Sequence, residues 1–403
     1  MLTRAQHPKS ILIAGGGIGG LCAASLLAQA GHTVSLFEQS PKFEEVGAGI
    51  QLSPNAMQVL HIMGVSDAIT ACAFKPEFAV LRDYKTGYSL YKTALGEQMT
   101  ARYGQPYLHI HRAELIDILE LSARENGVKF HLSHKVGHYK DKNTHIELDT
   151  NQGLYKGDML IGADGVKSTI CERLHSDNTD KFKGRFTGQI AWRGTIPASA
   201  LRSGTLPPAA SVWLGPESHF VAYYIRNGQL VNFVAVKEKQ NWTAQSWHEA
   251  ANMSELRNNF KGWDKTVTDI LEACEQAYLW GLFERPPLPF WSKGRTALLG
   301  DSAHAMLPFM AQGAAMAIED SWVLHRMIND NKNTLTALNK YEKARLRRCT
   351  KLQNISKNNA QLYHASSNLD RMMRNLKLSL ARHIPQLSTQ RLDYIYGYDV
   401  TQI

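Results

Sequence analysis

An α/β fold is predicted by three features of this chain. Ile11 to Ala14 form a short apolar run suited to a buried strand, followed by Gly15, Gly17 and Gly20 at a turn into a helix. Two more apolar strands end in small-residue and acid turns, GADG at 162–165 and GD at 300–301. Between them, residues 186–283 carry alternating patterns such as SVWLGP, HFVAYYIRNG and LVNFVAVKE, which read as an antiparallel sheet. The α/β part is therefore discontinuous, interrupted by a β-rich insertion and closed by C-terminal helices.

The glycine turn at 15–20 has G-x-G-x-x-G spacing, and each glycine has a separate job. Gly15 permits the tight turn, Gly17 lets backbone N–H groups approach a pyrophosphate, and Gly20 lets the helix pack close to the strand. Ile18 and Gly19 open the helix whose N-terminus favours the anion. Gly31 and His32 end that helix, and Thr33 to Phe37 form the next strand. Glu38 follows Gly20 by 18 residues, close to the ~20 expected for an acid on ribose hydroxyls, with Gln39 beside it. A Rossmann-like dinucleotide site is the first expectation.

The remaining elements follow in order. A Gly-rich turn at Gly47 and Gly49 leads to an N-cap at Ser53, then Pro54 and a helix into Met63. Residues 78–105 read as short strands with a polar excursion. HRAELIDILELSARENGV is a long amphipathic helix, strand pairs cover 128–150, and 158–174 reads strand, turn, helix. The expected boundaries put the dinucleotide-binding unit at 1–78, 106–185 and 284–330. A substrate-facing unit occupies 79–105 and 186–283, and a basic helical segment 331–403.

Hydrophobic residues make up 44% and charged residues 20% of the 403, an ordinary globular composition. No run of about 18 uncharged apolar residues is present and no signal-peptide core precedes the first strand, so neither secretion nor membrane insertion is expected. Five scattered cysteines, at 22, 72, 171, 274 and 349, read as reduced cytoplasmic thiols. His131, His134, His138 and His145 lack acid or cysteine partners at ligand spacing and read as surface histidines without metal. Residues 331–403 hold 13 Lys or Arg against 4 Asp or Glu, which is the whole net charge of +9. The KARLRR run at 343–348 reads as a solvated helix face and not as a nucleic-acid site, since no aromatic interleaving accompanies it.

Asp164 and Asp301 stand at strand C-termini, the usual ligand crevice of an open α/β sheet. Asp301 suits hydrogen bonds from a polyol, and the helix start at Gly313 and Ala314, after Pro308, can aim N–H groups at a ligand carbonyl. With the first turn, these sites resemble the single-component (group A) flavoprotein monooxygenases, the p-hydroxybenzoate hydroxylase fold family, over nearly the whole chain. Gly15 to Glu38 match the family's FAD pyrophosphate and ribose motif, Gly162 to Gly165 its DG motif, Gly300 to Gly313 its GD motif, and Arg112 in IHRAEL its arginine near the flavin. VGAGIQLSPNAMQVL with Gly49, AWRGTIP, the HFVAY segment and LDYIYGYD look most like salicylate, 3-hydroxybenzoate and 6-hydroxynicotinate hydroxylases.

The resemblance implies FAD as cofactor, NADH or NADPH and O2 as cosubstrates, and oxygen transfer to an electron-rich ring through a C4a-hydroperoxyflavin. It also implies a catalytic base at His219, with Tyr223 on the same strand face, and an imidazole titrating near ~6.5 if unperturbed. Gln51 and Pro308 depart from the nicotinate and hydroxybenzoate patterns respectively, so neither substrate transfers directly. A non-benzoate hydroxylase (urate, kynurenine or an antibiotic) and a flavin-based redox regulator remain competing readings. Monomer and homodimer both remain open.

Overall fold

The computed structural model describes residues 4–43, 49–239, 249–381 and 385–403, with side chains omitted at 178, 179, 249 and 385–388. Gly47, half of the expected 47–49 turn, lies outside the described residues.

The Ile11–Ala14 run, together with Ser10, forms the centre of a six-stranded sheet in the order 292–293, 296–298, 159–162, 10–14, 33–37, 129–131. All contacts are parallel except at the edge pair 292–293. These strands are continuous apolar runs because helices cover them. Helix Ile18–Gln29 is buried along most of its length and packs on helices Arg112–Glu125 and Gly313–Asp330. Its approach to the last of these needs glycine, because a Cβ at Gly19 would lie 3.1 Å from the Ala317 methyl and closer still to Leu299. In-register pairing sets Ala14, Phe37, Gly162 and Leu298 side by side. The glycine turn, Glu38, GADG and GD thus meet along one carboxyl edge.

The insertion is an eight-stranded sheet in the order 249–250, 278–284, 185–197, 230–238, 218–225, 209–214, 78–83, 89–94. The 78–94 hairpin joins it across one parallel contact with 209–214. Two helices absent from the sequence reading, Met253–Asn259 and Lys265–Ala273, cover one face. There Trp192, Phe220, Phe233, Phe260 and Ile270 form a core. The alternate residues face the other way, where Ala191 and Val236 pack on Leu307, Phe309 and Ala360. That second face is turned toward the loop after the GD turn.

The basic segment is helical as expected, over Thr334–Tyr363, Asn368–Ala381 and Pro385–Tyr396. One expectation fails there. Lys343 and Arg347 are exposed, but Arg345 is fully buried and Arg348 only 5% exposed. Arg345 reaches Glu319 and Asp320 at 2.7 Å each, and Arg348 clamps Glu319 through two 2.8 Å bonds. Two buried carboxylates on the preceding helix demand cations, so the arginines serve the interior. The expected histidine group also has partners, His131 stacked on Phe37 at 4.6 Å and His134 bonded to the Tyr155 hydroxyl at 2.9 Å. All five cysteines are free thiols. No described helix is long and apolar enough to cross a membrane.

Candidate active site

Gly15 adopts φ +106°, and a Cβ there or at Gly20 would collide with the carbonyl oxygens of Ala163 and Gly15 respectively. Gly17 instead faces open space, and the helix after it starts with no side-chain cap and no acid in its first turn. Those N–H groups are left for an external anion. Glu38 accepts from Gly16 N at 2.8 Å and Ser40 N at 2.9 Å, which holds its carboxylate across the mouth of the turn, with exposed Gln39 next to it.

Asp164, expected at the cofactor, is held within its own turn in the structure. Its carboxylate accepts from Ser168 Oγ at 2.5 Å and from Thr169 Oγ1 and Ile170 N at 3.2 Å, so it ties down the helix that follows. Burial raises its carboxyl, against the pull of those bonds. Asp301 is exposed at the first turn of Asp301–His304, with no hydrogen bond among the described residues. The turn behind it is fixed by Asp320, which accepts from Gly300 N at 3.1 Å and from His304 Nε2 at 2.5 Å. Pro308 is exposed at the start of a turn that ends with Ala311 at φ +52°, leading to the partly exposed Gly313 and Ala314. Gln312 is anchored by Ser53 at 2.9 Å and Asn55 at 3.2 Å. An uncapped glycine-turn helix, an exposed acid and a second open helix start along one edge fit a dinucleotide that carries a polyol, as FAD does.

The open face of the large sheet lies across from this edge. Strand Ser218–Ile225 places His219, Val221 and Tyr223 on that face, while Phe220 and Ala222 face the helices. His219 and Tyr223 are about 13 Å apart along the strand, which leaves room for one ring over Val221. The neighbouring strands set Val234 and Arg193 beside Val221. His219 is 3% exposed and touches Phe309 and Tyr363 at ring distances of 5.1 and 5.3 Å. Burial, with His364 nearby, lowers its pKa well below 6.5, so the expected titration near that value is corrected downward. Its imidazole is neutral at ordinary pH.

Tyr223 packs on His109 at 4.5 Å and presses on Gly49, where a Cβ would lie 2.7 Å from the tyrosine ring. Gly49 N donates to Asn232 Oδ1 at 2.6 Å. Gln51 sits beside Tyr223 and accepts from the Tyr107 hydroxyl at 2.6 Å, so the position that departs from the nicotinate pattern belongs to this pocket. Arg112 is held down to about 10 by burial and by the nearby Arg193, against the attraction of Asp301. Arg112 thus stands between Asp301 at the carboxyl edge of the parallel sheet and Arg193 on the face of the large one. Arg193, which the sequence reading assigned no role, lies over Trp280 at 4.9 Å with its Nε unpartnered among the described residues. The signal was present in an arginine set among the apolar residues Ile190, Ala191 and Trp192. His364 and Glu238, also behind this pocket, come from distant segments with no local motif.

The chain matches the FAD binding domain family over residues 9–356. It is 34% identical over 363 residues to the 6-hydroxynicotinate 3-monooxygenase of Bordetella bronchiseptica, covering 89% of this chain and 93% of that one. It is 31% identical over 396 residues to the 3-hydroxybenzoate 6-hydroxylase of Polaromonas naphthalenivorans, covering 97% and 96%. Among solved structures, a salicylate hydroxylase substrate complex superposes with a TM-score of 0.82 at 26% identity, over 99% of this chain and 97% of that one. With a matching family model over most of the chain and relatives of this identity along nearly its whole length, the protein belongs to the single-component FAD-dependent aromatic monooxygenases.

Proposed function

We propose that the protein hydroxylates a small hydroxylated aromatic acid, of the hydroxybenzoate or hydroxynicotinate kind, with NAD(P)H and O2 in the cytoplasm. The observation that carries this reading is the sheet face itself, with neutral His219 at one end, Tyr223 at the other, and the partly buried cation Arg193 beside the gap. A ring hydroxyl directed at His219 meets a base, and a ring carboxylate directed at Arg193 meets an unpaired guanidinium nitrogen. The names of two relatives, a 6-hydroxynicotinate and a 3-hydroxybenzoate enzyme, support the same substrate class.

FAD, when bound, supplies hydride acceptance and oxygen activation; the residues do the rest. The Gly15–Gly20 turn, Glu38, Asp301 and the Gly313 helix start would hold it, with Arg112 near its ring edge. Phe309 and Tyr363 keep water from the His219 end. His219 takes the substrate hydroxyl proton at Nε2, which makes the ring a stronger electron donor.

A panel of hydroxybenzoates, salicylate and 6-hydroxynicotinate, followed by NADH and NADPH oxidation with the product identified by mass, tests the reading. His219→Asn should slow hydroxylation by ~10²- to 10⁴-fold and divert NAD(P)H oxidation toward hydrogen peroxide, with FAD still bound. If no member stimulates NAD(P)H oxidation, the substrate class is wrong.

A further inference from the structure

His219 is the inner end of a row of hydrogen-bonding groups. Its Nδ1 lies 2.8 Å from Nε2 of His364, just past the end of helix Thr334–Tyr363. His364 Nδ1 in turn lies 3.2 Å from Glu238 Oε1. Side-chain exposure is 2% at His364 and 46% at Glu238, so the row runs from the buried base to the surface. It emerges in a cleft of about 850 Å³ lined by His364, Glu238, Glu217, Lys357 and Arg374.

The hydrogen-bonding roles along the row follow from its outer end. A carboxylate only accepts, so Glu238 draws the His364 proton to Nδ1. Gln189 fits the same assignment. Its Nε2 is placed 3.2 Å from His364 Nδ1 while its buried Oε1 has no partner among the described residues, and turning the amide over, which exchanges the two atoms, gives the unpartnered oxygen that N–H. His364 Nε2 is then an acceptor, which draws the His219 proton to Nδ1 and leaves the Nε2 lone pair of His219 facing the ring pocket. That Nε2 has no hydrogen bond among the described residues.

We propose that His364 and Glu238 are positioning residues that set the tautomer of His219 and lead the substrate's proton to solvent. The inference rests on His219 acting as the base. In the forward step the substrate O–H bond breaks and an N–H bond forms at His219 Nε2. The His219 Nδ1 proton passes to His364 Nε2, and the His364 Nδ1 proton passes to Glu238 or to water in the cleft. Each ring gains one proton and yields one, and no electrons leave the protein. The reverse passage, when the product oxygen regains a proton, restores the starting tautomers. A proton held on His219 would be an imidazolium buried among Phe309, Tyr363 and His364, which burial disfavours. The charged groups of the cleft around the row are Arg185, Glu217, Glu238 and Glu284 from the sheet, Lys357 from the long helix, and Asp370, Arg374 and Lys377 from the helix after it.

The first test needs no substrate. Ring ¹⁵N spectra of the FAD-loaded enzyme, labelled at histidine, should show His219 and His364 as Nδ1–H tautomers. Glu238→Gln, at a half-exposed position that folding tolerates, and His364→Ala should both move His219 toward Nε2–H. A wild-type His219 carrying its proton on Nε2, or a tautomer indifferent to both substitutions, overturns the proposal. The second test follows coupled turnover of the panel compound that the wild type hydroxylates. His364→Ala should lose at least about tenfold, less than removal of the base itself, with flavin reduction intact. Imidazole diffusing into the cleft should restore it and 1-methylimidazole, which cannot hand a proton on, should not. Equal rescue by both, or normal turnover in His364→Ala while His219→Asn is crippled, sinks the relay and spares the base. Normal turnover in His219→Asn sinks the base reading first.

Discussion

A methyl group at Gly17 meets nothing within 4 Å, whereas one at Gly20 collides with the Gly15 carbonyl oxygen. Gly17 has φ −74° and ψ −177°, a region open to any residue, so Gly17→Ala leaves the backbone unstrained. Its cost falls on the ligand, because the methyl group enters the space in front of the helix N–H groups. Gly17→Ala apoprotein should therefore melt like the wild type while binding FAD more weakly, and Gly20→Ala should lower the melting temperature of the apoprotein itself. Asp301→Ala should behave like Gly17→Ala. The exposed carboxylate has no hydrogen bond among the described residues to lose, and removing it deprives FAD of a charge-assisted bond worth ~1.5–3 kcal/mol, or roughly 10- to 150-fold in affinity. Glu38→Ala should do both, since the turn loses the bonds from Gly16 and Ser40 along with the ribose contact proposed for this carboxylate. Flavin-fluorescence titration and calorimetry of the apoprotein separate the two effects. An Asp301→Ala apoprotein that melts several degrees lower would show the carboxylate to be structural.

At the scale of elements, helix Thr334–Tyr363 is bound to helix Gly313–Asp330 by charge. Arg345 is buried between Glu319 and Asp320, and Arg348 lies under the Tyr398 ring at 3.7 Å while donating to the Tyr394 and Ile395 carbonyls. Replacing Arg345 by methionine leaves two buried carboxylates with one fewer cation, a loss of about 3–5 kcal/mol. Because Asp320 also holds Gly300 and His304, FAD retention should fall with stability. Arg347→Met, two residues along on the opposite, exposed face of the helix, should change neither, and equal melting temperatures for the two variants would refute the account. This network shows where sequence reasoning stopped. Glycine turns, strand alternation and acids at strand ends are local patterns, so the parallel sheet, the insertion and the carboxyl edge where the glycine turn and the acids meet were readable from the chain. Helix Lys265–Ala273 was readable too, with Asp264 as its cap and Val267, Ile270 and Leu271 at helical spacing, but it was masked by the strands around it. The burial of Arg345 and the row from His219 to Glu238 depend on residues 25 and 145 positions apart, and no window along the sequence contains them.

Across the whole molecule, buried histidines set how stability responds to pH. Burial lowers His109 to about 3, and His32, His325 and His364 to about 4, while His219 falls well below its ordinary value. A group whose folded pKa is depressed contributes stability that is complete above its unfolded value of ~6.5 and is lost as pH falls, by up to ~1.4 kcal/mol per pH unit for each group. His304 has the opposite sign. Burial opposes its charge, but Cys349 and Asp320 outweigh it and raise its pKa well above 6.5, so its contribution is present in acid and is lost only as pH rises through the raised value. The melting temperature of FAD-saturated protein should therefore fall steeply between about pH 6.5 and 4, and should decline again as pH rises above 7 toward the raised pKa of His304. His325 tests the cause, because it is fully buried against Trp322 with neither ring nitrogen hydrogen-bonded among the described residues. His325→Leu keeps comparable bulk and removes the group that must take up a proton on unfolding. Its melting temperature at pH 7 should match or exceed that of the wild type, since no hydrogen bond is lost, and its acid limb should be shallower. Melting curves that stay parallel from pH 7 to pH 4.5 would assign the acid sensitivity to other groups.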